Sequence, residues 1–236
     1  MIAAIHQPNF FPWMGYFRKI AMADVFVFLD TVQFPRTSRG SWINRVKILV
    51  DGEPRWLTCP IVRSEGIGSI ADIMIDNGQP WREKMVKTLA HFYGKAPCFA
   101  PVIQWVEPMI HRPSVSLAEY NIANIMEISE RLGLSPKFER QSQTSDPGVL
   151  EKSGSERLAA ICQMAGADTY LAGDGAAGYE DESVYEKAGV RLVKSGFANP
   201  RYHQYGLKDF APGMSILDAL FNIGAEKTAE LVKTGA

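Results

Sequence analysis

The chain is poor in cysteine. Cys59, Cys98 and Cys162 are its three, an odd number spread far apart over 236 residues, which argues against a disulfide framework and matches no zinc-ligand spacing. It also lacks an excess of either charge. A formal net charge of −1 and a pI near 6.4 leave no global basic field, so general nucleic-acid binding is not expected. No window approaches about 18 uninterrupted apolar residues, and no basic start with a long apolar stretch opens the chain. The expectation is a protein of the reducing cytoplasm without membrane insertion. Absent too are a Walker loop, an H-E-x-x-H pair, a C-x-x-C pair and a G-x-S-x-G elbow. That removes kinase, zinc-protease and α/β-hydrolase chemistry and leaves no metal site to predict. Neither an internal repeat nor a low-complexity tract occurs.

With 46% hydrophobic and 22% charged residues, the chain is long enough to bury a substantial core. Ile2 to Ile5 read as a short buried strand, and Trp13 to Ala23 as a helix carrying Met14, Phe17, Ile20 and Ala21 at helical spacing. Between them lies His6-Gln7-Pro8-Asn9-Phe10-Phe11-Pro12, stiffened by its prolines. A loop between a buried strand and a helix sits at the carboxyl edge of an α/β sheet, where ligands bind. His6, Gln7 and Asn9 offer a titratable group with several donors and acceptors; a rigid turn whose aromatics plug a small core is the competing reading. Val25 to Leu29 read as a second buried strand topped by Asp30. That carboxylate suits binding of a hydroxyl, an amine or a metal and capping of the following turn equally well.

Trp42 to Val50 and Arg55 to Ile61 have strand composition around the turn signal Asp51-Gly52-Glu53, predicting a hairpin insertion. Asn44 and Arg45 then point to opposite faces. Arg36, Arg39, Arg45 and Lys47 form the best basic patch, suited either to phosphates or to a solvated loop. Helices are expected from Trp81 to Phe92, Pro101 to Ile110 and Ser116 to Leu132, the last with a capping box. Gln141 to Gly154 read as a loop or boundary. The last third returns to α/β text: helix Ser155 to Ala165, strand Thr169 to Ala172, helix Glu180 to Ala188 and strand Val190 to Val193. The loop Gly173 to Gly178 formally matches G-x-G-x-x-G, but Lys194 ends the next strand where a dinucleotide site carries an acid. Its expected role is to bring Asp174 to the sheet edge that bears His6. Ser215 to Asp218 form a capping box on a helix ended by Asn222 and Gly224, before a last helix to Val232. The preceding Tyr202-His203-Gln204-Tyr205 cluster is too polar and aromatic for an idle connection. The fold expected is α/β, a short mainly parallel Rossmann-like sheet with a hairpin insertion and a helical middle at 80–140, in one domain over 1–236.

The run from His6 to Phe17 resembles the signature of the WbqC-like protein family, and Ser215 to Gly224 resembles its second signature. Asp30 to Phe34, Trp42 to Arg45 and Tyr202 to Gln204 fall where that family has similar blocks, so the resemblance spans nearly the whole chain. The family is linked to bacterial surface-polysaccharide gene clusters. Cys59 stands where an apolar residue is expected and is not taken as a nucleophile. The N-terminal layout also looks faintly like the nucleotidyltransferase superfamily, but Trp13-Met14-Gly15-Tyr16 puts aromatics where that superfamily carries the two histidines of H-x-G-H.

The resemblance implies a transferase acting on a nucleotide-linked amino sugar, attaching an acyl or aminoacyl group such as glycine to its amine. The donor is open: an activated acyl compound, ATP with a carboxylate, or a charged tRNA. Within that reading His6, with an ordinary pKa of about 6.5, is the base, Asp30 orients the amine, and Asn9, Gln7 or Asn44 hold the oxyanion. Arg45 and Lys47 grip a pyrophosphate, Trp13 and Tyr16 stack on sugar or base, and Asp174, Tyr202 and Gln204 complete the substrate site. A non-catalytic saccharide-binding protein and a nucleotide-dependent ligase are the alternatives.

Overall fold

Strand β1 (Ile2–His6) has apolar side chains on both faces and therefore needs cover on both. It is followed by helix α1 (Met14–Met22) and strand β2 (Val25–Phe28), all four of whose residues are buried. The computed structural model describes residues 1–35, 42–62, 68–143, 146–174 and 180–235. β1 and β2 run parallel, with Ala3 opposite Val25 and His6 opposite Phe28. On the far side of β1 lie β6 (Thr169–Ala172) and then β7 (Arg191–Lys194), also parallel. The fifth strand, β5 (Lys137–Arg140), pairs outside β2, so the sheet order is β5-β2-β1-β6-β7. The parallel sheet expected from the two terminal thirds is present. β5 was not foreseen: it is a four-residue edge strand with one aromatic, Phe138, among charges, too short to show a period.

The pleat divides the sheet residues between two cores. Ala4, Phe26, Phe28 and Leu171 face a large core shared with α1, the hairpin and the helical middle. Ala3, Ile5, Val25, Val27, Tyr170 and Ala172 face a smaller one closed by residues of α6 (Gly154–Met164) and α7 (Glu182–Lys187). The short helix α5 (Pro147–Leu150) packs beside α6 within the segment read as a loop.

The insertion is the expected antiparallel hairpin, β3 (Arg45–Val50) with β4 (Glu53–Thr58). Asp51 at φ 51° and Gly52 at φ 78° both take the left-handed region that a two-residue type I′ turn demands. The middle supplies α2 (Trp81–Tyr93), α3 (Phe99–Ile110) and α4 (Leu117–Arg131). The Ser116 side chain caps α4 by accepting from the Glu119 N–H, as its sequence predicts. The last helix, α8 (Ile216–Thr234), packs on α1 and α3 and is interrupted at Gly224, where φ 78° and ψ 172° break the helix where the sequence ended one. Among the described residues no helix is long and apolar enough to cross a membrane.

Candidate functional site

The chain leaves β1 toward β2 on one side and leaves β6 toward β7 on the other, so their adjacent carboxyl ends form a switch point, the ligand position in open α/β sheets. A cavity of about 610 Å³ opens there. Its walls include His6, Gln7 and Asn9 from the first loop, Trp13, Tyr16 and Lys19 from the start of α1 and the turns after it, Trp42 before the hairpin, and Asp174, Ser195 and Phe197 from the loops after β6 and β7.

The first loop is held from three sides. The Phe10 N–H donates to the Trp42 carbonyl at 2.9 Å. Asn121, on α4, donates to the carbonyls of Pro8 at 2.8 Å and Ile43 at 2.7 Å. From the first turn of α8, the Ser215 hydroxyl donates to the Phe11 carbonyl and the Ile216 N–H to that of Pro12, each at 2.8 Å. The two sequence signatures therefore meet, the second clamping the first. Phe11 takes φ 39°, a left-handed conformation unusual for a bulky residue, and is buried with Phe10. The loop is thus core plug along Phe10 and Phe11 and site wall along His6, Gln7 and Asn9, which combines the two readings of its sequence.

His6 sits under aromatic rings, 4.7 Å from Tyr16 and 5.8 Å from Trp13 between ring centres. Its Nδ1 lies 3.1 Å from the Gln7 carbonyl, which makes Nδ1–H the donor and leaves Nε2 an acceptor. Burial, and then the charge of Lys19, lower its pKa to about 3. This corrects the expected base of pKa about 6.5: the imidazole is neutral and weakly basic without ligand. The Tyr16 hydroxyl donates to the same carbonyl at 3.0 Å, and burial keeps it a phenol. Asn9 is 2% exposed, and its Oδ1 has no hydrogen-bond partner among the described residues.

Lys19 is the charged wall residue that sequence reasoning missed. It is 4% exposed, with Nζ donating to the Ile5 carbonyl at 2.9 Å. Burial pushes its pKa down to about 8 against the pull of Glu180, Cys162 and Asp174. The available signal was its position three residues after Tyr16 and beside Ile20, on the apolar face of α1. Asp174 is exposed and receives Ser195 Oγ at 2.6 Å, Phe197 N at 2.9 Å and Gly196 N at 3.1 Å. Its partial burial raises its pKa, but those bonds prevail and hold it below the ordinary carboxylate range.

The hairpin brings an aromatic ladder to the rim. Trp13 and Trp42 lie 5.1 Å apart, as do Trp42 and Trp56. The Arg45 guanidinium lies 4.1 Å from the Trp56 ring centre, and Lys47 Nζ is 5.4 Å from that of Trp56 and 5.9 Å from that of Trp42. Trp42 and Trp56 were not singled out in sequence, because strand aromatics read equally well as core. Asn44 is turned the other way: its amide donates to the Cys59 carbonyl at 3.0 Å. Burial pushes the Cys59 thiol up to about 12, in keeping with its exclusion as a nucleophile.

Besides Asn44, Arg45 and Lys47 of the hairpin, Asp30, Tyr202 and Gln204 are expected site residues that do not line the cavity. Asp30 is 2% exposed and accepts from Ser142, from N at 3.0 Å and from Oγ at 2.6 Å, tying β2 to the turn after β5. Tyr202 and Gln204 donate to Asp218 at 2.6 and 2.9 Å, and Tyr93 reaches the other oxygen at 2.8 Å. The buried Asp218 carboxyl has its pKa raised by burial despite those three donors. Tyr202 and Gln204 also border a separate cavity of about 290 Å³. Arg36, Arg39 and the glycine loop beyond Asp174 lie outside the described residues. Among those described, no group of three metal-ligating side chains occurs.

A family model described as the WbqC-like protein family matches residues 7–230. A Mycobacterium tuberculosis protein described as uncharacterised is 32% identical over 225 residues, covering 94% of each chain. No solved structure matches.

Proposed function

The chain belongs to the WbqC-like protein family, and from that premise we propose that it is a cytoplasmic transferase that acylates the amine of a nucleotide-linked amino sugar in surface-polysaccharide synthesis. The observation that carries the reading is the continuity of the switch-point cavity with the tryptophan ladder. A largely apolar pocket that carries His6, Gln7, Asn9 and Lys19 for the reacting amine adjoins a cationic, aromatic rim for the nucleotide. Trp42 and Trp56 offer faces to a base or sugar, while Arg45 and Lys47 meet the pyrophosphate.

In the transfer, the amine nitrogen attacks the acyl carbonyl, the N–C bond forms and the bond to the leaving group breaks. The amine proton passes to a base. His6 presents the acceptor Nε2 for it, and the orphan Oδ1 of Asn9 takes a second N–H, the orienting role first assigned to Asp30. Burial is the larger cause of the lowered His6 pKa; an anionic substrate near Lys19 offsets the smaller part that the Lys19 charge contributes and to that extent strengthens the base on binding. The acyl donor is an activated acyl compound, an adenylated carboxylate or a charged tRNA.

The weakly basic His6 of the unliganded site favours one rival: a protein that binds the sugar nucleotide without turnover. Mass spectrometry separates the two. Purified protein is incubated with nucleotide-linked amino sugars, ATP, glycine and glycyl-tRNA, with His6→Ala as control. An amide-sized mass increase, lost in the variant while its Tm stays near that of the parent, is expected. Binding with no product under any donor returns the chain to the binding class.

A further inference from the structure

Lys19 is a buried cation without a counter-ion. Among the described residues no carboxylate comes within 4 Å of it, and its single hydrogen bond goes to the neutral Ile5 carbonyl. An ammonium has three N–H donors, so two remain for the cavity that Lys19 lines. A buried unpaired charge is costly, and folds keep one where a ligand supplies the opposite charge. Among the described residues that line the cavity, the only lysine or arginine is Lys19, its Nζ 6.0 Å from the Tyr170 ring centre, while Arg45 and Lys47 stand on the hairpin.

We propose that Lys19 is an oxyanion-binding residue, receiving a compact phosphoryl or carboxylate group of the substrate at the deep end of the switch-point cavity. The assignment rests on the transferase reading only for which substrate carries that group; the site itself stands on its geometry. Two cationic stations then divide the ligand. The hairpin holds an outer anionic group such as a pyrophosphate, and Lys19 holds an inner one, next to His6. Seating that anion neutralises the field on His6 and couples binding to the basicity of the imidazole. Asp174 and Glu180 supply only longer-range attraction to Lys19, and Asp174 is already held by Ser195, Gly196 and Phe197.

The test measures inorganic phosphate and, separately, acetate as stabilisers in thermal unfolding of the parent, of Lys19→Met and of the exposed control Lys87→Met. Phosphate or acetate raising Tm in the parent and control, with the effect reduced about tenfold in apparent affinity or lost in Lys19→Met, is expected. Response to phosphate alone identifies a phosphoryl group, and response to acetate alone a carboxylate. Equal stabilisation of the Lys19 variant overturns the proposal, as does an absence of response in the parent. Because the variant also removes a donor from Ile5, NMR of the parent provides a readout independent of its folding. The Lys19 Cε signal should titrate near pH 8 without anion and shift upward with it; an unmoved midpoint overturns the assignment. Anion binding without turnover of any sugar nucleotide would retain this site and remove the transferase reading.

Discussion

At the scale of single residues, the cavity wall depends on atoms that leave no spare room. A Cβ at Gly15 would lie 2.7 Å from the Phe197 ring and 2.8 Å from Trp13 Nε1. Gly15→Ala should therefore push two wall residues apart and cost about 1–3 kcal/mol, read as a lower denaturant midpoint at unchanged slope. His6 makes a second prediction. Its pKa falls from 6.5 unfolded to about 3 folded, so between those values the unfolded chain binds the proton that the folded chain refuses. Stability contributed by the neutral imidazole is present above pH 6.5 and is lost as pH falls toward 3. With part of the ring facing the cavity, the loss by pH 5 is roughly 1–2 kcal/mol. His6→Asn should remove that component from the pH dependence of unfolding, and a variant as acid-sensitive as the parent would refute the assignment. His6 was legible as a site residue because of its loop. Its protonation was not, since Lys19 and the rings that surround it are separated from it in sequence.

At the scale of elements, the C-terminal signature acts by joining helices and strands. The Tyr93 hydroxyl on α2 accepts from the Leu49 N–H of β3 at 2.8 Å and donates to Asp218 of α8. Tyr93→Phe strips an acceptor from a buried backbone N–H and a donor from a buried carboxylate, costing about 2–3 kcal/mol in chemical unfolding. Since these elements hold the hairpin and the first loop rather than line the cavity, affinity for a sugar nucleotide at temperatures well below Tm should change little. Tyr202 and Gln204 are expected as ligand groups because polar aromatic clusters favour sites; in the fold both donate to Asp218, Gln204 also pairs with the Ala211 backbone, and both border the smaller cavity. The hairpin was legible from its turn, whose Asp-Gly pair tolerates two left-handed residues. β5 was not, because an edge strand needs only one apolar face and pairing supplies the rest.

At the scale of the whole molecule, one sheet serves two cores, and α8 reaches back to clamp the loop after β1. Far-ultraviolet circular dichroism and tryptophan fluorescence, the latter reporting Trp13, Trp42 and Trp56 together with Trp81 and Trp105 of the helical middle, should therefore lose their native signals in one coincident thermal transition. A separate earlier transition would mark 80–140 as an independent unit. The local order of strands and helices, the hairpin, the capped helices and the polar loop after β1 follow from patterns a few residues long, because backbone geometry and turn chemistry act at that range. The pairing of β1 with β6, the meeting of the two signatures, the tryptophan ladder and the isolation of Lys19 join residues far apart in the chain. Burial and charge are properties of a surrounding volume, and that volume exists only once the sheet and its two covers have closed.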